Sequence, residues 1–167
     1  MFGAFAYVGA HLHAVFGMSF TAIGLVICTF AVGGLIYSLL SARLVGSLGQ
    51  RGLATWGGLL CGAGYLLLAT APVWWITPVS VMLLGLGFYM LHNTLQTNAT
   101  QMAPEARATA VGVFSAALYL GMTAGVAVTA PVFDRVGAPP AFVAAGCVLA
   151  ILGIWIGRRI RLHAQSG

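Results

Sequence analysis

Six long stretches of this chain carry almost no charge, and short gaps rich in arginine, glycine and proline separate them. The apolar runs cover 1–16, 22–44, 53–71, 75–97, 109–133 and 141–160. About 20 apolar residues in a helix, rising ~1.5 Å each, cross a ~30 Å hydrocarbon layer. The strands of a membrane barrel would instead alternate over ~10-residue segments, and these runs are continuous. In lipid, a helix satisfies its backbone within its own segment. The pattern therefore predicts an all-α membrane protein, a single bundle of six transmembrane helices over 1–167.

The first run differs from the others. Its 16 or so residues reach only roughly 24 Å as a helix, less than the hydrocarbon thickness. No polar flank precedes it, and neither the basic start nor the cleavage site of a signal peptide is present. The simplest reading is that Met1 falls inside a helix whose beginning is missing. A thin or re-entrant first segment is the alternative.

Composition strengthens the membrane reading. Hydrophobic residues make up 60% of the chain and charged residues 5%, against roughly a quarter in soluble domains. The surface of such a chain needs lipid as its partner. The net charge of +5 is no nucleic-acid footprint, because the arginines sit singly or in short groups between apolar runs. With six spans the termini share a side. Arg43, Arg51, Arg107, Arg158, Arg159 and Arg161 fall on that side, and Arg135 on the other. The positive-inside rule then makes both termini cytoplasmic. Trp56, Trp74, Trp75 and Trp155 lie near span ends, where amphipathic rings favour the interface.

Enzymatic chemistry finds no support. Cys28, Cys61 and Cys147 lie apart in apolar runs and read as packing residues. The chain has no lysine for a phosphate-binding loop, no His-Glu metal motif and no Ser-His-Asp set. No catalytic residue, metal or cofactor is expected.

An internal repeat organises the runs. Thr21-Ala22-Ile23-Gly24 resembles Thr109-Ala110-Val111-Gly112, and at the same offset Gly33 falls on Gly121 and Gly49 on Gly137. This pairs the second run with the fifth, which cross in opposite directions. Two inverted three-helix repeats are the plan of many secondary transporters.

Three motifs then resemble the second six-helix half of the major facilitator superfamily. The gap after the second run matches that family's loop at Leu44, Gly49 and Arg51, with Gly46 in place of its Asp, and Asp134-Arg135-Val136-Gly137 follows the fifth run in a related form. Pro104 and Arg107 match its Pro-x-x-Arg loop, although helix capping by Pro104 and Glu105 explains the same residues. Gly112, Gly121 and Gly125 look like its antiporter glycines, with Val126 where that motif has Pro. Packing explains them more simply: Ala117, Gly121, Gly125 and Thr129 form a small-residue stripe. The resemblance implies alternating access by two bundles, with the N-terminal six-helix half absent from this chain. It implies small-molecule transport, with efflux by proton antiport from a bacterial plasma (inner) membrane as the subclass expected.

No carboxylate lies within a run, so a proton-coupling acid would belong to the other half. The fourth run is the best site candidate. Tyr89, His92, Asn93 and Gln96 crowd its second half, and Gly85, Tyr89, His92 and Gln96 share one face. Polar groups at membrane depth avoid lipid, so this face points into the bundle or the helix end is emerging into water. Tyr7 and His11 share a face in the first run; Tyr37 and Tyr119 are further path candidates. His13 lies round the helix from His11. A non-transport membrane assembly module is the second functional reading, and the substrate is unknown.

Overall fold

The computed structural model describes residues 1–163, with side chains described through residue 160. Arg161, counted above among the orientation charges, has its side chain outside the described residues. Among the described residues every regular element is a helix: α1 (Phe2–Phe5), α2 (Val8–Phe16), α3 (Phe20–Thr70), α4 (Ile76–Met102), α5 (Arg107–Val136) and α6 (Ala138–His163). Four of these are long and apolar enough to cross a membrane.

As one rod, the 51 residues of α3 would reach ~76 Å, more than twice a bilayer core. Gly49 prevents this. Its φ of 62° and ψ of 178° lie in a region essentially reserved for glycine, and the chain reverses there. The first arm, 20–48, runs beside α4 in the same direction: Thr29 meets Pro78, Gly33 lies on Gly85, and Gly34 lies on Tyr89. The second arm, 50–70, opposes α4, with Gly57 at Gly87 and Gly64 at Ser80. Gly137 turns the corner between α5 and α6 with nearly the same backbone, φ 81° and ψ −175°. Gly49 and Gly137, one of the pairs aligned by the internal offset, thus share this reversing conformation.

Neighbouring pairs give the remaining directions. His92 of α4 meets Phe114 of α5, and Phe88 lines a cavity with Gly121, so α4 and α5 are antiparallel. Gly3 lies against Gly125 and Tyr7, at the start of α2, stacks on Phe133 at 4.5 Å, so α1 runs along α5 in the same direction. Ala54, Gly58 and Gly62 meet Gly153, Leu149 and Gly146 of α6 in reverse order. Successive segments therefore alternate in direction, α1 and α2 counting as one broken segment. The Ala6–Tyr7 break leaves α2 capped at its far end by Gly17, whose φ of 63° and ψ of 22° are left-handed.

Glycine makes the close packing possible. The second arm of α3 presents Gly57 and Gly64 to α4, and Gly58 and Gly62 to α6. A Cβ at Gly58 would sit 2.6 Å from the Leu149 carbonyl oxygen, and one at Gly64 would sit 2.8 Å from that of Ser80. Between apolar helices in lipid, association comes from van der Waals contact, and small residues let the backbones approach. Tyr65, Leu68, Val81, Leu84 and Phe142 fill the core around this arm and are fully buried. Tyr65 also donates its hydroxyl to the Met1 carbonyl at 2.6 Å.

One end of the bundle collects the arginines. Gln50 reaches Gln101 at 3.4 Å, and Gly157 lies against Thr55 and Arg51. Arg51, Arg107, Arg158 and Arg159 therefore share this end with the Gly49 corner, and Arg135 lies at the other. The exposed rings of Trp74 and Trp75 mark that opposite end, and Arg159 stands over the Trp155 ring at 5.2 Å.

Candidate functional site

The polar residues of α4 split into two groups. Thr77, Ser80 and Thr94 are buried, and each hydroxyl donates to a carbonyl three or four residues back, at 2.6, 3.0 and 2.7 Å. Asn98 donates to Thr94 O at 2.7 Å. Such back-bonding satisfies a polar group without a partner helix. His92 has no such arrangement. Among the described residues its Nδ1 is the buried side-chain polar atom without a hydrogen-bond partner.

His92 sits in an aromatic ladder. Its ring stacks on Phe88 at 5.2 Å and tilts against Phe114 at 5.3 Å. Phe88 meets Phe2 edge-on at 5.0 Å, and Phe30 joins Phe2, Phe5, Phe88 and Tyr89. Four segments contribute to this one cluster. Beside it lies a cavity of ≈ 220 Å³ that His92 and Phe88 line with Leu91, Phe114, Leu118 and Leu152. The space can accept an apolar body, with aromatic faces on one side and a single imidazole as its polar feature.

The sequence candidates do not all meet there. Gly85 and Tyr89 pack against the first arm of α3, whereas His92 turns to α5, so the proposed single face of α4 serves two neighbours. Tyr37 is buried with Leu53 and Met90 in a separate cluster that Tyr89 also touches. His11 is buried and edge-on to Phe142 at 5.2 Å, enclosed by protein near the far end. Tyr7 stacks on Phe133. Asn93 and Gln96 are half-buried on α4, and Tyr119 is exposed on α5. His13 leaves the core, its Nδ1 donating to Met18 O (2.9 Å) and its ring stacking on Phe20 at 5.1 Å.

Sequence reading missed Phe2, Phe5, Phe30, Phe88 and Phe114. Each is an ordinary apolar residue in its own run. Only the pairing of helices makes them a cluster, so no local signal marks them. The small residues of α5 also divide: Gly125 packs on Gly3, while Gly112 and Gly121 have open space where a side chain would stand.

The bundle's long apolar helices agree with one further finding. The family model of the Major Facilitator Superfamily matches residues 1–165. The chain belongs to the Major Facilitator Superfamily. A relative within the curated proteins is the uncharacterized MFS-type transporter YceJ of Bacillus subtilis (strain 168), 28% identical over 131 residues. That match covers 76% of this chain and 33% of the relative, so the chain spans about a third of that transporter's length. No solved structure matches significantly. Membership of the Major Facilitator Superfamily, with four helices long and apolar enough to cross a membrane, makes this a multi-pass membrane protein.

Proposed function

We propose that this chain is the C-terminal six-helix half of a secondary transporter, working with an N-terminal bundle to export a small molecule by proton antiport. The observation that carries the two-bundle reading is α5. It is 30 residues long and as apolar as a membrane span, yet none of its residues is buried in this chain. Its Val113 and Leu120, on one face, are large apolar side chains left exposed, a surface that another bundle could cover. The inverted three-plus-three plan is supported by Gly49 and Gly137, equivalent in the repeat and alike in backbone. Alternating access would then rock the two bundles about a path between them.

The path on this side would run along α4, with His92, Asn93 and Gln96 reaching it and Tyr89 and Tyr119 at its margins. No carboxylate lies among the apolar runs, so the coupling acid would come from the partner bundle. The arginine-rich end faces the cytoplasm of a bacterial inner membrane in this reading.

Reconstitution tests it. The chain alone in proteoliposomes should move no dye or drug against a pH gradient, and co-reconstitution with an N-terminal bundle should restore movement. Robust transport by the chain alone would overturn the half-transporter reading. Cysteine scanning at His92, Asn93 and Gln96 separates transporter from assembly module: uniform protection from aqueous reagent in the assembled protein favours the module.

A further inference from the structure

Between α5 and α6, on the membrane side of the Gly137 corner, lies a groove of ≈ 320 Å³ floored by Gly3 and Ala4 of α1. Its α5 wall runs from Gly125 to Val132, and its α6 wall from Ala141 to Val148. Every side chain on these two walls is Gly, Ala, Thr or Val, too small to close the space between the helices. The Thr129 hydroxyl donates to Gly125 O at 2.7 Å, so the wall asks for no polar partner. Each wall advances roughly 10 Å, against ~15 Å for one leaflet's share of a ~30 Å hydrocarbon layer. The same face of α5 then reaches Arg135, since Val128, Val132 and Arg135 follow at steps of four and three residues. Helical side chains lean toward the helix N-terminus, so the Arg135 chain lies back over the turn that bears Val132, at the mouth of the groove. Asp134 is turned ~100° from Arg135, to the side away from the groove. Among the described residues no carboxylate lies within ion-pair distance of Arg135.

We propose that the groove and Arg135 together hold one phospholipid, an acyl chain between α5 and α6 and the phosphodiester on the guanidinium. Depth and charge agree with this occupant. The apolar walls lie within the spans, and Arg135 stands at the end marked by the exposed rings of Trp74 and Trp75, the level of lipid head groups. The last turn of α5 suits a cation, and the guanidinium fork still presents donors that match phosphate oxygens. A net-anionic head group fits best, because no carboxylate on the groove side of α5 or in the groove's lining could pair with an ammonium. Tyr119 lies nine residues before Val128, about half a turn round α5. A second bundle covering the Tyr119 face therefore leaves the groove open to lipid. Binding of this kind needs the bundle and its membrane but no transport activity.

Native mass spectrometry of the full chain in detergent, titrated with dioleoyl phosphatidylglycerol, tests it. The wild type should retain one saturable lipid. Arg135→Gln should weaken that lipid about tenfold, the loss of a charged hydrogen-bonded contact. Ala144→Leu combined with Val148→Phe fills the groove and should weaken it as much. Both of those side chains are exposed, so the lipid-free thermal midpoint should match the wild type. Val128→Phe, also at an exposed wall position, replaces the pair if that midpoint falls. Arg158→Gln, at the opposite end, should leave the lipid in place. Dioleoylglycerol, which lacks the phosphate, and inorganic phosphate, which lacks the chains, should each fail to displace it. A wild type with no saturable lipid would overturn the proposal. So would weakening by Arg135→Gln alone, which is head-group attraction without a seated chain, or by groove filling alone, which is chain occupancy without a phosphate contact.

Discussion

The second arm of α3 and the whole of α5 are both long, apolar and glycine-bearing, yet they occupy opposite situations. The arm lies between α4 and α6 with Ala54, Gly57, Gly58, Cys61, Gly62, Gly64, Tyr65 and Leu68 buried, while α5 buries nothing. Composition does not separate them, since both are built on long uncharged apolar runs. The difference lies in whether a small residue has another helix over it. Gly58 and Gly62 do; Gly112 and Gly121 do not. Small residues on a membrane helix thus mark a surface able to receive a neighbour, and the bundle in hand fills that surface on one side only.

Substituting glycines breaks this comparison most strongly. Gly33→Leu should have the largest effect, because a Cβ there would run into the backbone of Met82 and Leu86. Overpacking of about 1–3 kcal/mol or more is expected, read as a lower unfolding midpoint in a detergent titration. Gly121→Leu should leave the same midpoint unchanged, since nothing stands within 4 Å of its Cβ position.

The chain reversals come next. Gly49→Ala and Gly137→Ala should each cost about 1–3 kcal/mol, because both backbones lie where only glycine is comfortable. Similar losses at the two sites would support their equivalence in the repeat. A large loss at one and none at the other would weaken it.

Hydrogen bonds give the smallest contrast. Thr29 Oγ1 shares its proton between Val26 O on its own helix at 2.6 Å and Pro78 O across two segments at 2.9 Å, whereas Thr123 Oγ1 reaches only its own helix at Tyr119 O. Thr29→Val should cost ~0.6 kcal/mol, the average for such bonds in a membrane bundle, and Thr123→Val should cost less. The same titration reads both.

Much of the fold was legible because continuous apolar runs and arginine-bearing gaps are set by the bilayer. The Gly49 and Gly137 corners fall in gaps between the apolar runs. The site was less legible. The 3.6-residue period correctly places Gly85, Tyr89 and His92 on one side of α4, but it cannot say that α3 takes the first two and α5 the third. His11 shares a face with Tyr7 in its run, and only the pairing of helices brings Phe142 of α6 against it. The ladder of Phe2, Phe30, Phe88 and Phe114 arises from pairing between distant segments, which leaves no trace in any one run.

The exposure of α5 offers the most direct measurement. Tyr119→Trp, in a background with the four native tryptophans replaced by Phe, places one fluorophore on the open helix. In bilayers containing brominated-tail phospholipid, the chain alone should be strongly quenched. Joined to an N-terminal six-helix bundle, the same tryptophan should lose most of that quenching as the second bundle covers α5. Quenching that stays unchanged on joining would contradict the account, since α5 would then face lipid in the assembled protein as well.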